Sequence, residues 1–216
     1  MKRVLITGAF GTLGSELARQ FSVRGNQVIL HGRNKTEHNT WYISVFGDLR
    51  ERSTLDRIEK VCSTEPLHVL INNAGVYHNK EWQNTHEEDI RNVIESNLLA
   101  PMLLTRRLWP LLKQGSGTVI NINSIGGKQG SRGEVAYSAS KHGLRGFSSA
   151  LQFDATKDRV QVIDVFCGAI SSNMTKGREN WDLLMSPNEV ATQIVSLCEV
   201  HRSLRVTEIE LNRIRY

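Results

Sequence analysis

Val4-Leu5-Ile6-Thr7-Gly8-Ala9-Phe10-Gly11-Thr12-Leu13-Gly14 is the stretch that decides the fold. Val4, Leu5 and Ile6 make a short apolar run bounded by a turn, the pattern of a buried strand. Beyond the glycines, Leu13, Leu17, Ala18 and Phe21 recur at helical spacing up to Gly25, a C-cap candidate. Strand, glycine-rich turn and helix in this order bring the free N–H groups of a helix start beside a backbone with no side chains in the way. That is the layout that seats a pyrophosphate.

Working outward, strands keep alternating with helices. Strands are predicted at Gln27–Leu30, Tyr42–Phe46, His68–Ile71, Gly117–Ile122, Val160–Phe166 and Val206–Leu211. A polar stretch, 35–40, separates the second from the third. Helices are predicted at Arg50–Cys62, from the capping box Thr85-His86-Glu87-Glu88 to about Lys113, through Tyr137 and Lys141 to about Thr156, and after Ser186-Pro187-Asn188-Glu189. The expectation is an α/β chain with a doubly wound, Rossmann-like parallel sheet of about seven strands, helices on both faces, and a single domain over 1–216. Pro101 interrupts the long helix. It cannot donate to the Asn97 carbonyl four residues back, so the helix should distort there and leave a carbonyl able to hold a water.

Composition narrows the function. A 39% hydrophobic, 23% charged chain of 216 residues suits a soluble globular protein. No apolar run reaches the ~18 residues of a membrane span, and the apolar stretch after Met1 is too short for a signal peptide. A cytoplasmic location with no membrane contact is expected. Cys62, Cys167 and Cys198 suit neither a disulfide framework nor a metal site, and no metal is expected. The net charge is +5, but the Lys and Arg are scattered, which speaks against nucleic acid.

The second strand ends at His31-Gly32-Arg33-Asn34, where this fold reads the adenosine ribose. An NAD site places an acid there. None occurs between residues 27 and 36, while Arg33 and Lys35 do, so NADP(H) is expected with Arg33 forking onto the 2′-phosphate. Asn72-Asn73-Ala74-Gly75 follows the fourth strand, where a ligand crosses the crevice of such a sheet. Tyr137 and Lys141 are four residues apart on a predicted helix and so share a face. An ammonium beside a phenol favours the phenolate, which would lower the Tyr137 pKa and suit it to general acid/base work.

These motifs together resemble the short-chain dehydrogenase/reductase family, single-domain type, over essentially the whole chain. The resemblance rests on the Thr7–Gly14 turn, Asp48-Leu49, Asn72-Asn73-Ala74-Gly75, Asn97, Ser124 and Tyr137-x-x-x-Lys141. It implies a catalytic set of Asn97, Ser124, Tyr137 and Lys141. Tyr137 exchanges a proton with the substrate oxygen, Lys141 also binds the nicotinamide ribose, Ser124 hydrogen-bonds the oxygen and Asn97 holds a relay water. It implies cofactor contacts from Gly8, Phe10, Gly11, Thr12, Leu13, Gly14, Arg33, Asp48, Leu49, Asn73, Ala74, Gly75, Tyr137, Lys141, Gly168, Ile170 and Ser172. Substrate-pocket candidates are Ser124, Ile125, Gly126, Gln129, Arg132, Met174 and Trp181.

The chain departs from the family pattern at Thr12, which stands where the middle glycine is usual, and at Cys167, which stands where proline is usual. The loop from Ile170 to Ser186 is short, so an open pocket is expected. The activity implied is NADP(H)-dependent interconversion of a small-molecule carbonyl and alcohol. A non-catalytic NADP(H)-sensing module is the alternative; it would not need the proton relay. A nucleotide-sugar epimerase lacks room for a second domain after Arg205. The Thr85 and Tyr137 helices resemble those that family members pair across a two-fold axis, which predicts a homodimer or homotetramer.

Overall fold

The computed structural model describes residues 1–35, 42–177, 181–200 and 203–213. Of the polar stretch expected at 35–40, all but Lys35 lies outside the described residues. Seven strands form one parallel sheet: β1 (Arg3–Ile6), β2 (Gln27–Gly32), β3 (Ile43–Phe46), β4 (Val69–Asn72), β5 (Thr118–Ser124), β6 (Gln161–Cys167) and β7 (Glu208–Leu211). Their order across the sheet is β3-β2-β1-β4-β5-β6-β7. Between them run α1 (Thr12–Val23), α2 (Arg52–Cys62), α3 (Glu87–Ile94), α4 (Ala100–Gln114), α5 (Val135–Lys157) and α6 (Pro187–Leu197).

Because strand side chains alternate, neighbouring residues feed opposite cores. Val4, Ile6, Val28, Leu30, Ile71, Ile120 and Ile163 meet Leu17 and Phe21 of α1 and Ile194 of α6. Leu5, Ile29, Leu70, Val119 and Val162 meet Ile58 of α2, Leu104 and Leu108 of α4, and Ala155 of α5. This is the expected doubly wound sheet, with helices on both faces.

Two predicted details move. The capping box lies one residue later than expected: His86 is the N-cap of α3, and its N–H donates to Asp89 Oδ2 at 3.3 Å. Thr85 instead belongs to the preceding short 3-10 turn, Trp82–Asn84: its N–H donates to Trp82 O and its hydroxyl donates to Glu81 O at 3.1 Å. The long helix is three segments: α3, a π-helical turn over Glu95–Leu99, and α4. Pro101 sits in the first turn of α4, and Ala100 N donates to Glu95 O, five residues back. The proline's missing donor thus takes the form of a widened turn, which places Asn97 inward, 1% exposed.

Candidate active site

The glycine turn is locked to the end of β4. Thr7 Oγ1 accepts from the N–H groups of Asn73 and Ala74, each at 3.0 Å. Asn73 Nδ2 donates in return to Thr7 O at 2.9 Å and Gly8 O at 3.1 Å. Gly8 has φ +62°, which glycine adopts without strain. A Cβ on Gly14 would stand 2.2 Å from Gly8 O, so helix and turn approach as closely as they do only because Gly14 has none. Gly11 is the N-cap of α1, and no side chain caps this helix. The Gly11 N–H is spent on Gly8 O at 3.1 Å. The N–H groups of Thr12 and Leu13 therefore start the helix without a side-chain acceptor, and both residues line the cleft. Such a cradle fits the pyrophosphate of a dinucleotide. Gly11 leaves the surface bare, and Thr12 stands at the first helical position.

That cleft holds about 660 Å³ and runs from the glycine turn past Asn73, Ala74 and Gly75 to Ser124, Tyr137 and Lys141. Its far wall includes Gly168, Ile170, Ser172, Met174 and Arg213. Ser124 ends β5. Its Oγ accepts from Gly126 N at 3.1 Å, which fixes the hydroxyl in the turn Ile125–Gly127. The hydroxyl and the Tyr137 ring flank Gly126, so the two side chains stand side by side in the cleft. Tyr137 and Lys141 are one turn apart on α5, as predicted.

The electrostatics run against the sequence expectation for Tyr137. Burial pushes its phenol up to about 12; the neighbouring Ser124 hydroxyl pulls it down, while Glu134 and Tyr77 push further up. Lys141 Nζ lies 5.9 Å from the ring centroid and donates instead to Ile122 O at 2.9 Å. Burial lowers Lys141 to about 8, partly opposed by the charge of Asp164. Tyr77 packs edge-on against Tyr137, centroids 5.1 Å apart, and gives its hydroxyl proton to Glu134 Oε1 at 2.6 Å.

Of the predicted contacts, Gly8, Gly11, Thr12, Leu13, Gly14, Asn73, Ala74, Gly75, Tyr137, Lys141, Gly168, Ile170 and Ser172 line this one cleft, as do Ser124, Ile125, Gly126, Gln129 and Met174. Others stand apart from it. Phe10 stacks on Phe46 at 5.3 Å, its ring against the face that Gly32 leaves open. Arg33 is exposed beyond β2. Leu49 is buried among the hydrophobic residues of the α2 face. Asp48 is held below the usual carboxylate range, first by the two-pronged Arg50 and then, more weakly, by Arg33. Asn97 sits behind the cleft. Its Oδ1 accepts from Val76 N at 2.8 Å, and its Nδ2 donates to Val76 O at 2.9 Å and Ser140 Oγ at 3.1 Å. Arg132 does not line the cleft: its side chain is 94% exposed and pairs with Glu81 at 3.5 Å. Trp181, 41% exposed, is outside the cleft as well.

Sequence reasoning missed the polar layer beneath the site. Asn72 donates to Thr105 Oγ1 at 3.1 Å and Asn121 Oδ1 at 2.8 Å, and Asn121 donates to Ser148 Oγ at 2.8 Å. Asn123 Nδ2 reaches both Asp164 Oδ2 at 3.1 Å and Lys141 O at 3.2 Å, while its Oδ1 accepts from Ser124 N at 2.8 Å. The signal was present in Val119-Ile120-Asn121-Ile122-Asn123: two amides at strand period, on the same face.

Comparison with known proteins gives the same picture. The model of the short chain dehydrogenase family matches residues 2–183. The acetoacetyl-CoA reductase of Acinetobacter sp. (strain RA3849) is 30% identical, over 93% of this chain and 91% of that protein. A 3-oxoacyl-(acyl-carrier-protein) reductase of Buchnera aphidicola subsp. Schizaphis graminum is 33% identical, over 81% of this chain and 76% of its own length. In fold, the chain superposes on an alcohol dehydrogenase of the archaeon Thermococcus sibiricus with a TM-score of 0.89, at 21% identity, covering 99% of this chain and 97% of that one. With the glycine cradle, the Ser124–Tyr137–Lys141 cleft and these relatives in hand, the chain belongs to the short-chain dehydrogenase/reductase family of oxidoreductases.

Proposed function

We propose that the protein interconverts a small-molecule carbonyl and its alcohol with NADP(H), with Tyr137 as the acid/base. The observation that carries this reading is the meeting of the Ser124 hydroxyl and the Tyr137 phenol in the cleft that also holds the glycine cradle. A nicotinamide dinucleotide bound there supplies or takes up the hydride, and the protein supplies orientation and a proton. Gly8, Gly11, Thr12, Leu13 and Gly14 would hold its pyrophosphate, Asn73, Ala74 and Gly75 its middle, and Lys141, Gly168, Ile170 and Ser172 the nicotinamide end. Arg33, with no acid in β2, supports NADP(H) over NAD(H).

The Ser124 and Tyr137 hydroxyls converge on the position of the substrate oxygen. Tyr137, kept neutral by burial, gives its proton to the oxygen as the carbonyl becomes an alkoxide, and Ser124 steadies that charge. In the opposite direction Tyr137 must first lose its proton, so oxidation favours high pH. Asn97 acts by clamping the Val76 backbone beside the cleft.

The test is NADPH consumption against a panel of carbonyl compounds. A 3-oxoacyl thioester comes first, because two relatives carry 3-oxoacyl or acetoacetyl reductase names. Tyr137→Phe serves as control. No turnover on any class of ketone, with NADPH bound, sinks the catalytic reading. Tighter binding of NADH than NADPH ends the cofactor choice, and Arg33→Ala should weaken NADPH alone, by about 1.5–3 kcal/mol.

A further inference from the structure

Asp164 is fully buried in β6, on the sheet face under α5. A carboxylate without solvent is costly unless it is paired and fully hydrogen-bonded. This one is only partly provided for. Oδ2 accepts from Asn123 Nδ2 at 3.1 Å. Oδ1 has no hydrogen-bond partner among the described residues: the Ser148 hydroxyl lies close, but its proton goes to Leu144 O at 2.9 Å. An aliphatic residue would fill this place at no such cost, so the acid calls for a role.

Its surroundings point to one. Lys141 is 7% exposed, and the charge opposing its loss of a proton comes first from Asp164. The other groups facing the pair carry no competing charge at neutral pH or are themselves paired. Cys167 is a buried thiol pushed up to about 12, and Tyr137 is a neutral phenol. Glu208, on β7, lies 3.4 Å from Arg145 and 4.0 Å from Lys128. Asn123 then links the carboxylate to the main chain of both active-site segments, through Lys141 O and Ser124 N.

We propose that Asp164 is a positioning residue of this site: its carboxylate is the interior counter-charge that keeps Lys141 an ammonium, and through Asn123 it sets the backbone carrying Ser124 and Lys141. The inference builds on the proposed function in taking Lys141 as a cofactor-binding ammonium. Asp164 itself sits near a titration point, pushed by burial up to about 7. Below that pH it is neutral and only its hydrogen bond operates; above it, the charge operates too.

Asp164→Asn separates the two roles, because its amide oxygen still accepts from Asn123 while the charge is gone. NADPH affinity, read from cofactor fluorescence between pH 6 and 10, should be equal in the two proteins at pH 6. It should then fall away earlier in the variant, with a midpoint about 1 pH unit lower. Coincident curves at every pH overturn the proposal. A uniform loss at every pH does so too, because it would mean a structural role only. Should the variant not fold, carboxyl 13C NMR of aspartate in the wild-type protein and in Lys141→Met decides. Loss of the ammonium must raise the Asp164 midpoint, and an unmoved midpoint refutes the coupling. The NMR readout needs no substrate or cofactor, so it stands even if no NADPH binds and the proposed function fails.

Discussion

Burial holds the Tyr137 phenol near 12, so at neutral pH its proton is in place to be given. Reduction should be nearly flat up to neutral pH, while oxidation at saturating cofactor should climb with pH above neutral; a pH profile in each direction checks this. Tyr137→Phe keeps the ring and its edge contact with Tyr77, so cofactor affinity should persist while turnover drops ~10²–10⁴-fold. Near-normal turnover would remove Tyr137 from the mechanism. Tyr137 and Lys141 were legible as a pair because one helical turn is a local spacing, whereas Ser124 was reached only through the family resemblance. Asp164 and Asn123 were not legible. Their meeting depends on β5 lying beside β6 in one register, with Asn121 opposite Asp164, and no single segment announces that. Nor does spacing disclose the direction of the Tyr137 shift. A lysine one turn away favours a phenolate only where its ammonium approaches the hydroxyl, but Lys141 Nζ donates to Ile122 O, and burial is the largest effect on the phenol.

At the scale of the element, the π-helical turn Glu95–Leu99 delivers Asn97 to the backbone of Val76. Asn97→Ala leaves the Val76 N–H and C=O without their partners, each worth about 1–3 kcal/mol if buried. A denaturant melt should show that loss, together with weaker cofactor binding, since Gly75 of the cleft wall packs against Asn97. An unchanged midpoint would refute the clamp. Gly14→Ala attacks the other wall. Its Cβ would face Gly8 O and the Ala9 backbone, atoms that cannot swing aside, so both stability and dinucleotide affinity should fall. Helices and strands were largely legible, with ends displaced by a few residues. Pro101 signalled a distortion; its form, a widened turn that leads into α4 with Leu104 and Leu108 in the core, was not legible. Arg132 and Trp181, expected beside the substrate, do not line the cleft, because a position along the chain does not say which way a side chain faces.

At the scale of the molecule, Leu99, Met102 and Leu103 around the start of α4 and Val135 and Phe153 of α5 are exposed, Phe153 by 78%. We expect these two helices to pair with a second copy, and light scattering at micromolar concentration should return at least a dimer. A monomer counts against it. The sheet also carries a pH signature. Asp164 holds its proton up to about 7 when folded, against an ordinary 3.8. The folded state binds a proton that the unfolded chain has released, so this group's contribution is present below about pH 4 and is lost as pH rises through 7. Wild type should therefore lose stability relative to Asp164→Asn over that window, and a constant difference would show no linkage. The fold class was legible because strand–helix alternation is a local pattern; the partners of the outer helices were not. Among these, α1 rests on α6. Gln20 Nε2 lies within hydrogen-bond reach of Asn188 O at 3.0 Å, Asn188 Oδ1 at 2.8 Å and Thr192 Oγ1 at 3.0 Å, and the apolar faces of both helices share one core. These contacts span 168–172 positions of chain. During synthesis, at ~5–20 residues per second, α1 emerges first and waits roughly eight to thirty-five seconds for its cover. Through that interval Leu17 and Phe21 have no core to enter on that side, so the nascent chain is bound to offer a sticky helix to whatever chaperone meets it at the ribosome.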